Sequence, residues 1–179
     1  ALAGPVSVGA VLVPKGFNWK LIPGVADSKQ VSPKRREEIF LITKKLEREG
    51  KLKTAVALVP AKIIDGKGIS HAVKIGIERT LGKLSPDPRT TYVKLDGLLH
   101  APAHFKKQKT IIKGDVTEKE ISLASIVAKV TRDRYMVKLA KKYPKYGFEI
   151  HKGYGTKIHQ TALRNKGISS VHRATFVHL

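Results

Sequence analysis

The sequence predicts an α/β fold, a mixed sheet covered by helices. Three observations carry this. Short runs rich in apolar and β-branched residues recur at Val6–Val13, 54–59, 91–96 and 109–115. Stretches of helical period lie between and after them. The order, strands first and then strands alternating with helices, is that of a mixed sheet with helices packed on it.

Val6–Val13 reads as a buried strand, and "PGVADSK" (23–29) as turn and loop. Ser32 followed by Pro33 is an N-cap and first-turn signal. A helix then runs to about Glu49 and stops at Gly50, with Ile39, Ile42 and Leu46 on one face. "TAVALV" (54–59) is a second strand, closed by Pro60. Ser70 to about Leu81 is helical, and "SPDPR" (85–89) breaks the chain. "TYVKLD" (91–96) and "KTIIKGD" (109–115) are strands, each ending in Asp. Thr117 and Glu120 fit a capping box for a long helix reaching about Lys142, with Pro144 after it. Its first half is small or apolar nearly all round and reads as buried, and Ser125 there as a packing residue. The second half reads as basic and exposed. A short helix at about Lys157 to Asn165 lies in the tail.

A chain of 179 residues with 41% apolar content is one ordinary domain with room for a small appendage. The absence of Cys excludes disulfides, thiolate catalysis and Cys-ligated zinc. The opening "ALAGPVSVGAVLV" has no preceding basic region and falls short of the roughly 20 apolar residues of a membrane span. The chain lacks an initiator Met, so it is expected to be cut from something longer. Lys and Arg number 35 against 14 Asp and Glu, a formal charge of +21. Such a field points to nucleic acid, whose counterions are released as phosphates are neutralised. A lysine-rich thermophile surface is the competing explanation, but it would enrich Glu as well. With 6% aromatics, a single-strand binder built on stacking platforms is disfavoured.

Against that field the scarce carboxylates stand out. Asp96 and Asp115 each end an apolar strand, where α/β sheets build their sites. Oxygen-only donors suit a hard cation such as Mg²⁺, bound by one or two carboxylates plus substrate phosphates. Two such ions, about 3.5–4 Å apart, activate water and stabilise the leaving oxygen in phosphodiester cleavage. Each residue alone also has a structural reading. Asp before Gly is common turn chemistry, and an acid near a helix N-terminus complements the dipole. Glu118 and Glu120 fit capping and dipole roles, Asp133 fits an i−4 pair with Lys129, and Asp27, Asp65 and Asp87 lie in loops or breakers. The seven His show no close ligand spacing on one element, so no His-metal site is expected.

Seven segments, in order along the whole chain, resemble ribonuclease HII, a type 2 ribonuclease H: "LAGPV" (2–6), "GVADSKQVSPKRRE" (24–37), "VKLDG" (93–97), "KGD" (113–115), "SLASIVAKVTRDR" (122–134), "YPKYGFEIHKGYGT" (143–156) and "VHRATF" (171–176). The resemblance implies an RNase H-like, five-stranded mixed sheet with flanking helices, its first strand absent from this chain, and a small C-terminal helical segment. It implies a catalytic domain over 1–142 and a substrate-binding segment over 143–179. The activity implied is hydrolysis of the RNA strand of RNA·DNA hybrids, and nicking 5′ of ribonucleotides embedded in duplex DNA. Asp96 and Asp115 match two of four carboxylates that hold Mg²⁺ or Mn²⁺. Tyr154, flanked by Gly153 and Gly155, matches a tyrosine at the ribonucleotide–deoxyribonucleotide junction. The resemblance places Ser28 and Lys29 near the substrate backbone. Lys113, a local charge partner of Asp115, and Arg173 are further substrate-binding candidates. Lys129, Arg132, Arg134 and His172 fit either phosphate tracking or solvation of an element's end.

The family's remaining Asp-Glu pair and its Gly-Arg-Gly turn would directly precede Ala1. The expectation is a truncated or degenerate chain, inactive as written, from an intact cytoplasmic, monomeric enzyme without membrane association. The alternative is a non-catalytic basic nucleic-acid-binding module derived from the family. A basic RNA-associated structural protein would explain the charge but not the paired strand-end aspartates.

Overall fold

A computed structural model of the chain describes residues 1–25 and 31–178. It contains four strands, β1 (Val6–Leu12), β2 (Lys53–Val59), β3 (Val93–Asp96) and β4 (Gln108–Ile111). The helices are α1 (Pro33–Arg48), α2 (Ala61–Lys67), α3 (Ile69–Leu84), α4 (Gly114–Thr117), α5 (Lys119–Lys142), α6 (Phe148–His151) and α7 (Lys157–Lys166). Among the described residues, β1 pairs with β2, and β3 pairs with β4 in parallel. The α/β class is therefore observed, with the strands in two pairs.

The chain forms two compact units. The first comprises Val8–Ala57 and Lys74–Val130. Its core gathers Ile22, Ile39, Phe40, Leu46, Leu123, Ile126 and Val127. Burial of each such side chain stabilises the fold by about 1.5–3 kcal/mol. α1 begins as its sequence dictates: Ser32 Oγ accepts from the Arg35 amide at 3.2 Å, and Pro33 occupies the first turn. Gly9 of β1 lies against α5 so closely that a Cβ there would stand 2.3 Å from the Ala124 carbonyl oxygen. The small residues of α5 permit that approach. Ser122 donates its hydroxyl to the Val25 carbonyl.

The second unit comprises Ala1–Ser7, Leu58–Val73 and Thr131–Leu179. Its core holds Ala3, Met136, Leu139, Tyr146, Phe148 and Leu163. Tyr146 stacks on Phe148 with centroids 5.5 Å apart. The segment at residues 2–4 is tied down by its backbone. Leu2 N donates to Gly153 O at 2.7 Å, Gly4 N to Val171 O at 2.8 Å, and Arg173 N to Leu2 O at 2.8 Å.

Three local expectations are corrected. Residues 61–67 form α2, so Asp65 sits on a helix and accepts from the Ala174 and Thr175 amides at 3.0 Å. Gly66 and Gly68 disguised that helix, because glycine disfavours helical conformation. The fourth strand ends at Ile111, and Asp115 lies on the single turn α4. Lys113 adopts a left-handed conformation (φ 56) and turns the chain out of the strand. The long helix starts at Lys119, one residue later than a Thr117 cap requires. The Thr117 hydroxyl donates back to the Lys113 carbonyl at 3.4 Å, and the Glu120 carboxylate lies 3.2 Å from Lys94 Nζ.

Candidate carboxylate site and Tyr154 loop

The carboxylate site is built on β3, β4 and α4. Asp96 is the last residue of β3 and faces Ile111 across the parallel ladder. The Gly97 amide extends the ladder to Ile111 O at 2.9 Å. Beyond β4, the left-handed turn at Lys113 folds Gly114 and Asp115 back beside the end of β3. Asp96 Oδ1 lies 3.5 Å from where a Cβ on Gly114 would be. The peptide carrying Asp115 thus sits against the Asp96 carboxylate. Asp115 is buried and Asp96 half-buried.

Lys94 shares the face of β3 that carries Asp96, since alternate strand residues point the same way. Its Nζ lies 2.7 Å from Glu118 and 3.2 Å from Glu120. The hydrogen bond to Glu118 leads the causes that raise the Lys94 ammonium above its usual value. These two glutamates are therefore engaged, which sequence reasoning had assigned to capping. Among the described residues, no three His, Cys, Asp or Glu side chains are grouped to hold a metal. Asp96 and Asp115 are the candidate donors at this strand end; their oxygen-only, hard chemistry suits a Mg²⁺-like ion completed by water and phosphate oxygens.

The Tyr154 loop belongs to the second unit. Lys152 (φ 51) and Gly153 (φ 83) are both left-handed and carry the chain from α6 into the loop. A Cβ on Gly153 would stand 2.5 Å from Ala3 O, so the close approach expected of this glycine is made by the N-terminal segment. The Tyr154 ring is partly exposed, and the Arg132 guanidinium lies over it, 5.4 Å from the centroid. Arg132 is itself 5% exposed. It donates from Nε to Pro5 O at 2.9 Å, from Nη1 to Lys152 O at 3.0 Å and from Nη2 to Ala3 O at 3.0 Å. Arg173, also 5% exposed, donates to Gly4 O at 3.0 Å and Pro5 O at 3.1 Å. Burial, with Arg132 as a like charge nearby, brings the Arg173 guanidinium down to about 10. Both remain cationic at neutral pH.

The structure thus brings Asp96 and Asp115 together in one unit, and Gly153, Tyr154 and Arg173 together in the other. Lys113 contributes its backbone turn to the first, with an exposed side chain. Ser28 and Lys29 lie outside the described residues. Arg132, Arg173 and His172 are buried rather than displayed on a phosphate-tracking surface. Sequence reasoning missed a cluster of His151, His159 and His172, because it draws its members from three separate segments.

Solved type 2 ribonucleases H share this fold. The ribonuclease HII of Archaeoglobus fulgidus, solved in its complex with PCNA, matches with a TM-score of 0.76 over 99% of this chain and 90% of that one, at 24% identity. Bst-RNase HIII in complex with Mn²⁺ matches with a TM-score of 0.71 over 98% of this chain and 63% of that one, at 17% identity. The chain belongs to the ribonuclease HII family, whose model matches residues 1–179. It is 43% identical over 175 residues to the ribonuclease HII of Endomicrobium trichonymphae, covering 98% of this chain and 79% of that protein. It is 41% identical over 175 residues to that of Halalkalibacterium halodurans, covering 98% of this chain but 62% of that protein's length.

Proposed function

We propose that this chain carries the nuclease function of a ribonuclease HII. The substrate is the RNA strand of an RNA·DNA hybrid, or duplex DNA with an embedded ribonucleotide, cut on its 5′ side. The observation that supports this reading best is the Asp96 carboxylate set against the Gly114–Asp115 peptide at the ends of two parallel strands, on a chain of formal charge +21.

Asp96 and Asp115 would hold divalent cations, Mg²⁺ or Mn²⁺, which when bound activate water and stabilise the leaving oxygen. Holding Asp115 on a short turn behind a left-handed Lys113 fixes its carboxylate relative to Asp96. Lys94, on the strand face that carries Asp96, pairs with Glu118 and Glu120 and offsets one of their two charges. The basic surface binds the phosphate backbone without reading sequence. Tyr154, Ser28 and Lys29 are assigned to substrate contact, with the phenol ring stacking on a sugar or base next to the 2′-OH that distinguishes RNA. Gly153 and Arg173 are assigned to support of that loop, and 143–179 to substrate binding. Two of the four carboxylates implied by the family resemblance, Asp96 and Asp115, lie among these residues. An Asp-Glu pair supplied ahead of Ala1 would complete the set.

The test is cleavage of a labelled RNA·DNA hybrid by that extended chain, with and without Mg²⁺, beside binding across a salt series. The proposal expects Mg²⁺-dependent cleavage and salt-sensitive binding. Salt-sensitive binding with no cleavage under any divalent ion would favour the non-catalytic module instead.

A further inference from the structure

His151, His159 and His172 come together in the core of the second unit, and hydrogen-bond direction assigns a tautomer to each ring. The Ser169 amide donates to His172 Nδ1 at 2.9 Å, so that nitrogen carries no proton. His172 Nε2 therefore carries it and points at His159 Nε2, 3.1 Å away. His159 Nε2 must accept, which leaves the proton on Nδ1. That Nδ1–H donates to the Tyr154 carbonyl at 3.0 Å. His151 repeats the logic: Nε2–H donates to Tyr146 O at 2.6 Å, and Nδ1 accepts from the Gly153 amide at 3.1 Å. Its ring stacks on His159 with centroids 4.3 Å apart.

We propose that His159 and His172 are positioning residues for Tyr154. They form a directional chain running from Ser169 through both imidazoles to the Tyr154 carbonyl, and it holds the loop only while both rings are neutral. The proposal rests on the assignment of Tyr154 to substrate contact. A second proton breaks this chain. On His172 Nδ1 it would displace the Ser169 N–H bond and leave the Ser169 hydroxyl, 2.8 Å away, as its acceptor, and on His159 it would meet the His172 Nε2–H. The groups facing the pair reinforce neutrality. Tyr146 and Phe148 cover His172 at 4.7 and 5.5 Å between centroids. His151 stacks on His159. Burial foremost, then His159, depresses His172 to about 4, and burial likewise lowers His159. Among the described residues, these rings included, no three His, Cys, Asp or Glu side chains are grouped to hold a metal.

The test uses the full chain and two probes, a labelled RNA·DNA hybrid and a DNA duplex of the same sequence, bound without divalent ions. His172→Asn keeps an acceptor for Ser169 but removes the donor to His159. The expected result is about tenfold weaker hybrid binding, the size of one lost base–aromatic contact, with duplex binding unchanged. A purely structural role would weaken both probes alike, and that result would overturn the proposal. Nitrogen NMR of the unmutated chain gives a second readout. His172 should appear as the Nε2–H form and His159 as the Nδ1–H form, and the Tyr154 and Gly153 amides should shift with the acid titration of these rings. Other tautomers, or a loop indifferent to that titration, would also overturn it. If Tyr154→Ala leaves hybrid binding untouched while the NMR coupling holds, the substrate assignment of Tyr154 fails and the chain of imidazoles stands as a loop clamp alone.

Discussion

The carboxylate edge and the Tyr154 loop reach their geometries by opposite routes. At the edge, Asp96 and Asp115 are set by neighbours in one stretch of chain: a four-residue strand, its parallel partner and a left-handed turn. At the loop, the constraints come from far along the sequence. Arg132 reaches the Pro5 carbonyl 127 residues away, and Arg173 reaches Gly4 across 169. The edge should therefore tolerate changes in its frame and fail when its charges change. The loop should fail when its frame changes.

The largest effect expected is at the edge. Asp96→Asn or Asp115→Asn should lower hybrid cleavage by the active, extended chain on the order of a hundred- to a thousandfold, with binding retained. Single-turnover cleavage beside anisotropy measures both. Next is a pair of glycines. Gly153→Ala places a methyl group against the Ala3 carbonyl in a left-handed position and should destabilise by roughly 2–4 kcal/mol, about 10 °C in melting temperature. On Gly114 a Cβ would meet the end of the Ile121 side chain at 2.5 Å, which can move, and Ile111 Cβ at 3.3 Å, so Gly114→Ala is expected to cost about 1 kcal/mol. Equal losses in thermal melts would break the contrast. Tyr154→Ala should weaken hybrid binding roughly tenfold without altering the melting temperature by more than about 3 °C.

The smallest effect is on pH. His172 is near 6.5 when unfolded and about 4 when folded. The unfolded chain thus binds more protons between those values. The stability His172 contributes is complete above about pH 6.5 and is lost as pH falls toward 4. Urea melts across that window should show the slope, and His172→Asn should flatten it.

The same contrast explains what the sequence revealed. The N-cap at Ser32, the helix to Arg48 and the strand ending at Asp96 are encoded locally and were legible. Asp115 was legible as a site candidate but not as a helical residue, because a left-handed Lys113 carries no sequence signal comparable to glycine's. Arg132 and Arg173 read as surface charges, since nothing in their neighbourhood announces that distant carbonyls will receive them. The histidines were invisible for the same reason: their partners are backbone groups and one another, assembled only by the tertiary fold.

The central claim is that Asp96 and Asp115 act together as one cation-binding pair. Paramagnetic broadening by Mn²⁺ of the backbone amides of the full chain tests it without requiring cleavage. The account predicts that Gly97, Gly114 and Asp115 broaden first and together, and that either Asp96→Asn or Asp115→Asn abolishes the effect at all three. Broadening centred elsewhere, or surviving both substitutions, would contradict it.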